Sequence, residues 1–152
     1  MKEKIKALIL AMKFDKINSL GASQKEILDV VSSLGMHEQN ILAYYYLLYC
    51  VQNTNDKIRL SELHQCANFI LQMGLNFISG AYKLALFHAL QAIELQPLNI
   101  EWRKSILVSY KNLPESVLDD STAKEIENAI SKLEKAGIKD DSQVGEIVKR
   151  PF

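Results

Sequence analysis

The chain of 152 residues has little of what most function classes require. It carries 2 cysteines, 3 prolines and 6 glycines, and 18 basic residues balance 18 acidic ones to a formal charge of zero. A balanced surface argues against a nucleic-acid platform, which needs excess cations to displace counterions from phosphate. The glycines, at 21, 35, 74, 80, 137 and 145, stand singly; none builds a phosphate-cradling loop, and each reads as a helix stop or a close-packing point. No apolar run approaches the ~20 residues of a membrane span. The amino-terminal run from Ile5 to Met12 is broken by Lys6 and followed by Lys13, Phe14 and Asp15, which suits an amphipathic helix better than a secretory signal. Cys50 and Cys66 sit among apolar residues and are expected as buried thiols rather than as a disulfide. These absences lead to an expectation of a cytoplasmic protein with no cofactor, no membrane and no nucleic-acid partner.

What is present is helix-forming. The hydrophobic fraction is 48%, and apolar positions recur at helical rather than alternating spacing. We read one all-α domain over residues 1–137, of about seven antiparallel helices, with a polar carboxy-terminal tail at 138–152. The first helix is expected over residues 2–14, with Ile5, Leu8, Ile9 and Met12 inward. Ser23 to Glu26 is a capping box that starts the second, in which Ile27, Val30 and Val31 face the core. The third, His37 to Gln52, is apolar around most of its circumference and should lie centrally. Ser61 offers a cap for the fourth, running to about Leu75 with Leu63, Cys66, Phe69, Ile70 and Met73 inward. The fifth runs from Ala81 to Leu95 and stops before Pro97. The sixth spans about Asn99 to Asn112 and stops at Pro114. The seventh begins near Ser121 or Thr122, with Thr122 and Glu125 as a second capping box, and ends at Gly137. Charge is uneven along this plan: residues 1–16 hold five lysines against Glu3 and Asp15, and residues 114–152 hold nine acids against six bases.

Residues 80–97 carry alanines at 85, 89 and 92 and then Pro97. Small side chains at these spacings let two helices cross closely, and a proline afterwards turns the chain. This segment resembles the second helix of a tetratricopeptide repeat. Trp102, Ile106 and Tyr110 resemble the apolar ridge of the next repeat's first helix, with Trp102 one residue early. Gly74 and Phe77 resemble the family's positions in the preceding first helix once one residue is inserted. The resemblance spans residues 61–112. It implies either a repeat array, with the first helix as a cap and the second and third as an earlier pair, or an irregular helical bundle built from the same hairpins.

Chemistry-bearing residues give no constellation. His37, His64 and His88 fall in three helices, and zinc-type spacing is absent, so surface or satisfied core histidines are expected and no metal. Tyr44, Tyr45, Tyr46 and Tyr49 read as core and interface aromatics before they read as a ligand-stacking cluster. Asp119 and Asp120 suit the positive end of a helix dipole. What remains is a surface. The resemblance implies a concave groove lined by Glu101, Lys104, Val108 and Lys111 from one repeat and by Asn68 and Gln72, with Leu75, from its neighbour. Such a groove would take a protein or peptide, the two lysines receiving a carboxylate. A non-enzymatic binding module is therefore the leading expectation, with self-association open. A small bacterial immunity or antitoxin-like protein is the alternative, and an enzyme accessory subunit follows behind both.

Overall fold

The computed structural model describes residues 1–34, 37–111, 113 and 117–138, leaving aside the side chain of residue 37. Gly35, Pro114, Gly145 and the expected tail beyond Ile138 lie outside the described residues. Eight helices and no strand are found among those described: α1 (Lys2–Leu10), α2 (Phe14–Asn18), α3 (Gln24–Ser32), α4 (His37–Gln52), α5 (Lys57–Met73), α6 (Ala81–Leu95), α7 (Ile100–Tyr110) and α8 (Asp120–Lys135). The all-α class is as the periodicity indicates.

The eighth helix arises because the expected first helix stops early, at Leu10, and the chain forms a short further helix, Phe14–Asn18, at and beyond its expected end. Met12 adopts a left-handed φ of 54°, its N–H reaching the Ile9 carbonyl at 3.0 Å and that of Lys13 reaching Leu8 at 2.9 Å. This is the six-to-one, five-to-two closure that usually has glycine at its left-handed position. Methionine there costs roughly 1 kcal/mol of backbone strain. In return the chain folds back so that Ile17 is buried and Phe14 packs edge-on against the Tyr46 ring at 5.4 Å. Met12 itself, expected inward, points to solvent. The same closure ends α8 with an ordinary glycine: Gly137 has φ 72°, and Gly137 and Ile138 donate to Glu134 and Leu133 at 3.0 and 3.2 Å.

Side-chain caps start α3, α5, α7 and α8. Ser23 accepts from the Glu26 N–H at 3.2 Å while the Glu26 carboxylate accepts from the Ser23 N–H at 3.0 Å, completing the expected box. Asn99 caps α7 by accepting from Trp102 N–H at 3.0 Å. Two starts differ from expectation, and in both an aspartate does the capping. Asp56 accepts from Arg59 N–H at 2.7 Å, which places Ser61 inside α5, where it is buried and donates to the Ile58 carbonyl. Asp119 accepts from the N–H of Thr122 at 2.8 Å and from its hydroxyl at 2.7 Å, so Thr122 is a partner of the cap rather than the cap.

Packing is sequential from α4 onward, with α4 on α5, α5 on α6, α6 on α7 and α7 on α8. At the amino end α1 rests on α2, α3 and α4 together, and α3 also meets α5. The α5–α6 contact is the most extensive. It is built on the small face of α6, where Ala85, Ala89 and Ala92 are fully buried. Gly74 ends α5 against α4: a Cβ placed there would sit 2.7 Å from Cγ of the buried Asn40. Trp102, Ile106 and Tyr110 bury the inner side of α7. Phe69 and Met73 depart from expectation. They lie on α5 but are 36% and 51% exposed, because α5 is already covered on its other sides by α3, α4 and α6.

Enlarging the seam is expected to destabilise the fold. Ala89→Leu should lower stability by about 1–3 kcal/mol through overpacking, whereas Ala7→Leu, on the exposed side of α1, should stay within about 0.5 kcal/mol. Urea denaturation of the two variants makes the comparison.

Candidate functional site

Two polar clusters form where helices meet. The first joins α5 to α7. Asn68 and Gln72 are one helical turn apart on α5, and the Gln72 amide donates to Asn68 Oδ1 at 2.8 Å and to the Tyr110 hydroxyl at 2.6 Å. The Tyr110 hydroxyl donates in turn to Asn68 Oδ1. Tyr110 is buried, and burial pushes its hydroxyl above the usual tyrosine range, with the Gln72 bond opposing. Asn68 and Gln72 are half-buried. Their hydrogen-bonding groups are thus engaged in holding α7 to α5, which is what they contribute to the surface where the sequence placed a groove.

The other groove residues lie together on the outer side of α7, all exposed. Lys104 meets Glu134 of α8 at 3.0 Å and Lys111 meets Glu127 at 3.1 Å. Both pairs are about half exposed, so each contributes at most ~1 kcal/mol and is screened by salt. Glu101 lies one turn before Lys104, and Val108 sits between the lysines with 78% of its surface in solvent. Leu75 is buried rather than on the face. Part of the exposed surface of α5 is apolar. Phe69, Met73 and Phe77 recur at four-residue spacing along and beyond the end of α5, and Met73 and Phe77 are more than half exposed. The sequence reading put Phe69 and Met73 in the core because it treated every apolar position on the stripe as inward.

The second cluster joins α4, α5 and α6. The Tyr44 hydroxyl lies 2.9 Å from His88 Nε2, and His88 Nδ1 lies 2.8 Å from His64 Nδ1. All three side chains are buried. Two of the three histidines are therefore satisfied core residues, paired with each other in a way the one-helix-at-a-time reading did not reveal. They are 24 apart in sequence, which makes them equidistant from Asn76 in the α5–α6 turn; counting outward from that turn would have paired them. Burial, and secondarily the other imidazole, pushes His88 down to about 4, and burial lowers His64 as well. In an unfolded chain both take protons near 6.5. Their contribution to stability is thus whole above that value and declines as pH falls through it toward about 4.

The cysteines sit apart from both clusters. Both are free and buried. Cys66 shares a 3.6 Å hydrogen bond with the Ser32 hydroxyl, and burial pushes its thiol up to about 11. Burial raises Cys50 too, with the Tyr46 hydroxyl one turn away lowering it. Tyr46 is almost wholly enclosed and its hydroxyl has no hydrogen-bond partner of ordinary geometry among the described residues, so the soft sulfur of Cys50 is the group it leans on. Protonated thiols are poor nucleophiles and poor metal ligands. Among the described residues no cluster of three or more His, Cys, Asp or Glu is placed to hold a metal, and no helix is long and apolar enough to cross a membrane. No protein family, curated protein or solved structure matches the chain.

Removing the Tyr110 hydroxyl tests the first cluster. Tyr110→Phe is expected to cost about 1 kcal/mol, since the two amides it serves are half-buried and regain water only in part. Lys104→Ala and Lys111→Ala should each cost less than about 0.5 kcal/mol. Chemical denaturation at moderate ionic strength distinguishes the two outcomes.

Proposed function

We propose that this chain is a binding module without chemistry of its own, which takes a protein or peptide segment on the outer face of α5 and α7. The observation that carries the reading is the exposure of Phe69 and Met73 on a helix otherwise packed on several sides, with Phe77 exposed just beyond its end and Val108 exposed on α7. Large apolar side chains grouped on a surface are a mark of interaction sites. The reading extends the tetratricopeptide resemblance, in which α5–α6 and α7–α8 stand as consecutive hairpins and α5 and α7 are the first helices of each. The order of packing, α5 on α6, α6 on α7 and α7 on α8, supports it.

The geometry also shifts the emphasis within that face. Lys104 and Lys111 are occupied by Glu134 and Glu127, so an incoming carboxylate has to displace an existing partner and gains little. Apolar anchors on the ligand, set against Phe69 and Met73, then supply most of the affinity. An amphipathic helix presenting large apolar residues at three- and four-residue intervals is the segment that suits such a stripe.

Affinity capture from native lysate, with mass-spectrometric identification, supplies the partner. Phe69→Asp with Met73→Asp is then expected to weaken its binding at least about tenfold while circular dichroism stays helical. Lys104→Glu with Lys111→Glu should weaken it less. Unchanged binding by a folded Phe69→Asp/Met73→Asp protein would remove the α5–α7 face from consideration.

A further inference from the structure

The buried Tyr44–His88–His64 chain has a proton count fixed by its geometry. Only one hydrogen fits between two ring nitrogens 2.8 Å apart. In the neutral pair each imidazole carries one N–H, and one of these two hydrogens occupies the gap. If His64 Nδ1–H donates across it, His88 carries its own hydrogen on Nε2 and donates to the Tyr44 oxygen. If His88 Nδ1–H donates, Nε2 accepts from the Tyr44 hydroxyl. Both arrangements make the two hydrogen bonds of the chain. One added proton can still be placed on an outer nitrogen, at the cost of a buried charge. A second can enter only the gap, where two N–H groups would meet head to head.

We propose that Tyr44, His88 and His64 form an acid-sensitive clasp that holds α6 against α5 and α4 while the two imidazoles share one hydrogen, and that lets α6 open when both rings become charged. The clasp spans three helices through two hydrogen bonds, and all three of its members are buried. Among the described residues no countercharge is paired with it. From α4 the facing titratable group is Tyr44 itself. On α3, Glu26 serves the Ser23 cap and Asp29 pairs with Lys2. On α7, Arg103 donates to the Asn99 carbonyl. Along α5, Glu62 accepts from Gln24, and on α6 Lys83 and Glu94 are exposed. An acid beside either ring would have stabilised the imidazolium and blunted the response; among the described residues the influences registered on the pair are burial and the rings' own mutual repulsion.

Opening gives both rings back to water, where each takes a proton near pH 6.5. The ratio of open to closed α6 should therefore grow at least about fivefold when the pH is lowered from that value to about 5.5, because His88 charges only in the open form, and up to roughly 30-fold where the closed form keeps His64 neutral as well. His64→Asn keeps a non-titrating amide beside His88 Nδ1 and should show roughly the fivefold gain. The double variant His64→Asn/His88→Gln should show almost none; His37 is common to all three and cancels.

Amide hydrogen exchange along α6, corrected for the intrinsic pH dependence of exchange, reads these ratios. Equal pH dependence in the wild type and the double variant overturns the clasp. Should the variants fail to fold, imidazole resonances of the wild-type protein decide instead. Expected is a His88 ring that stays neutral in the closed state below pH 6.5 and charges only as α6 exchanges. A ring that titrates at its ordinary value while α6 remains protected overturns the proposal.

Discussion

The close approach of α5 and α6 is the contact on which the rest of the structure hangs. Three alanines let the helix axes draw near, and the nearness is what brings His64 within hydrogen-bonding distance of His88 and Gln96 within reach of Ser61. With larger side chains on that seam, the polar groups it buries would be stranded without partners, which costs more than the hydrophobic area would return. Packing and polar satisfaction therefore depend on the same small residues. The helices on either side add to this pair: α4 through Tyr44, α7 through Tyr110.

The features legible in the sequence were those determined within a few residues. The Ser23–Glu26 box, the Asn99 start, the halt before Pro97, the Gly137 stop and the alanine face of α6 each follow from local chemistry, and the all-α class follows from their sum. The misread boundaries share a cause. At Met12 the chain closes its helix with a left-handed residue that is not glycine, a choice justified only by the burial of Ile17 and the packing of Phe14 on the far-off Tyr46 ring. At Asp56 and Asp119 a carboxylate competes with a nearby hydroxyl for the role of cap, and the stronger acceptor prevails.

The surface was less legible than the core. Periodicity says which residues share a side of a helix, but not how many neighbours that helix will have. Phe69 and Met73 continue the apolar pattern of α5 and yet face water, because no described helix covers that end of the stripe. Asn68 and Gln72, polar by type and placed on the groove by resemblance, are drawn into bonds with a buried tyrosine 42 and 38 residues away. Long-range partners of this kind leave no trace in residue spacing.

The attachment of α8 has a consequence for behaviour in different ionic media. That helix packs chiefly on α7, by Ile126 and Ile130 on one side and by the two lysine–glutamate pairs at the rim. Electrolyte at molar strength shortens the range of charge interactions to about 3 Å, weakening the rim while leaving the isoleucines seated. The hold of α8 is thus tuned by salt, while the alanine seam, being uncharged, is indifferent to it.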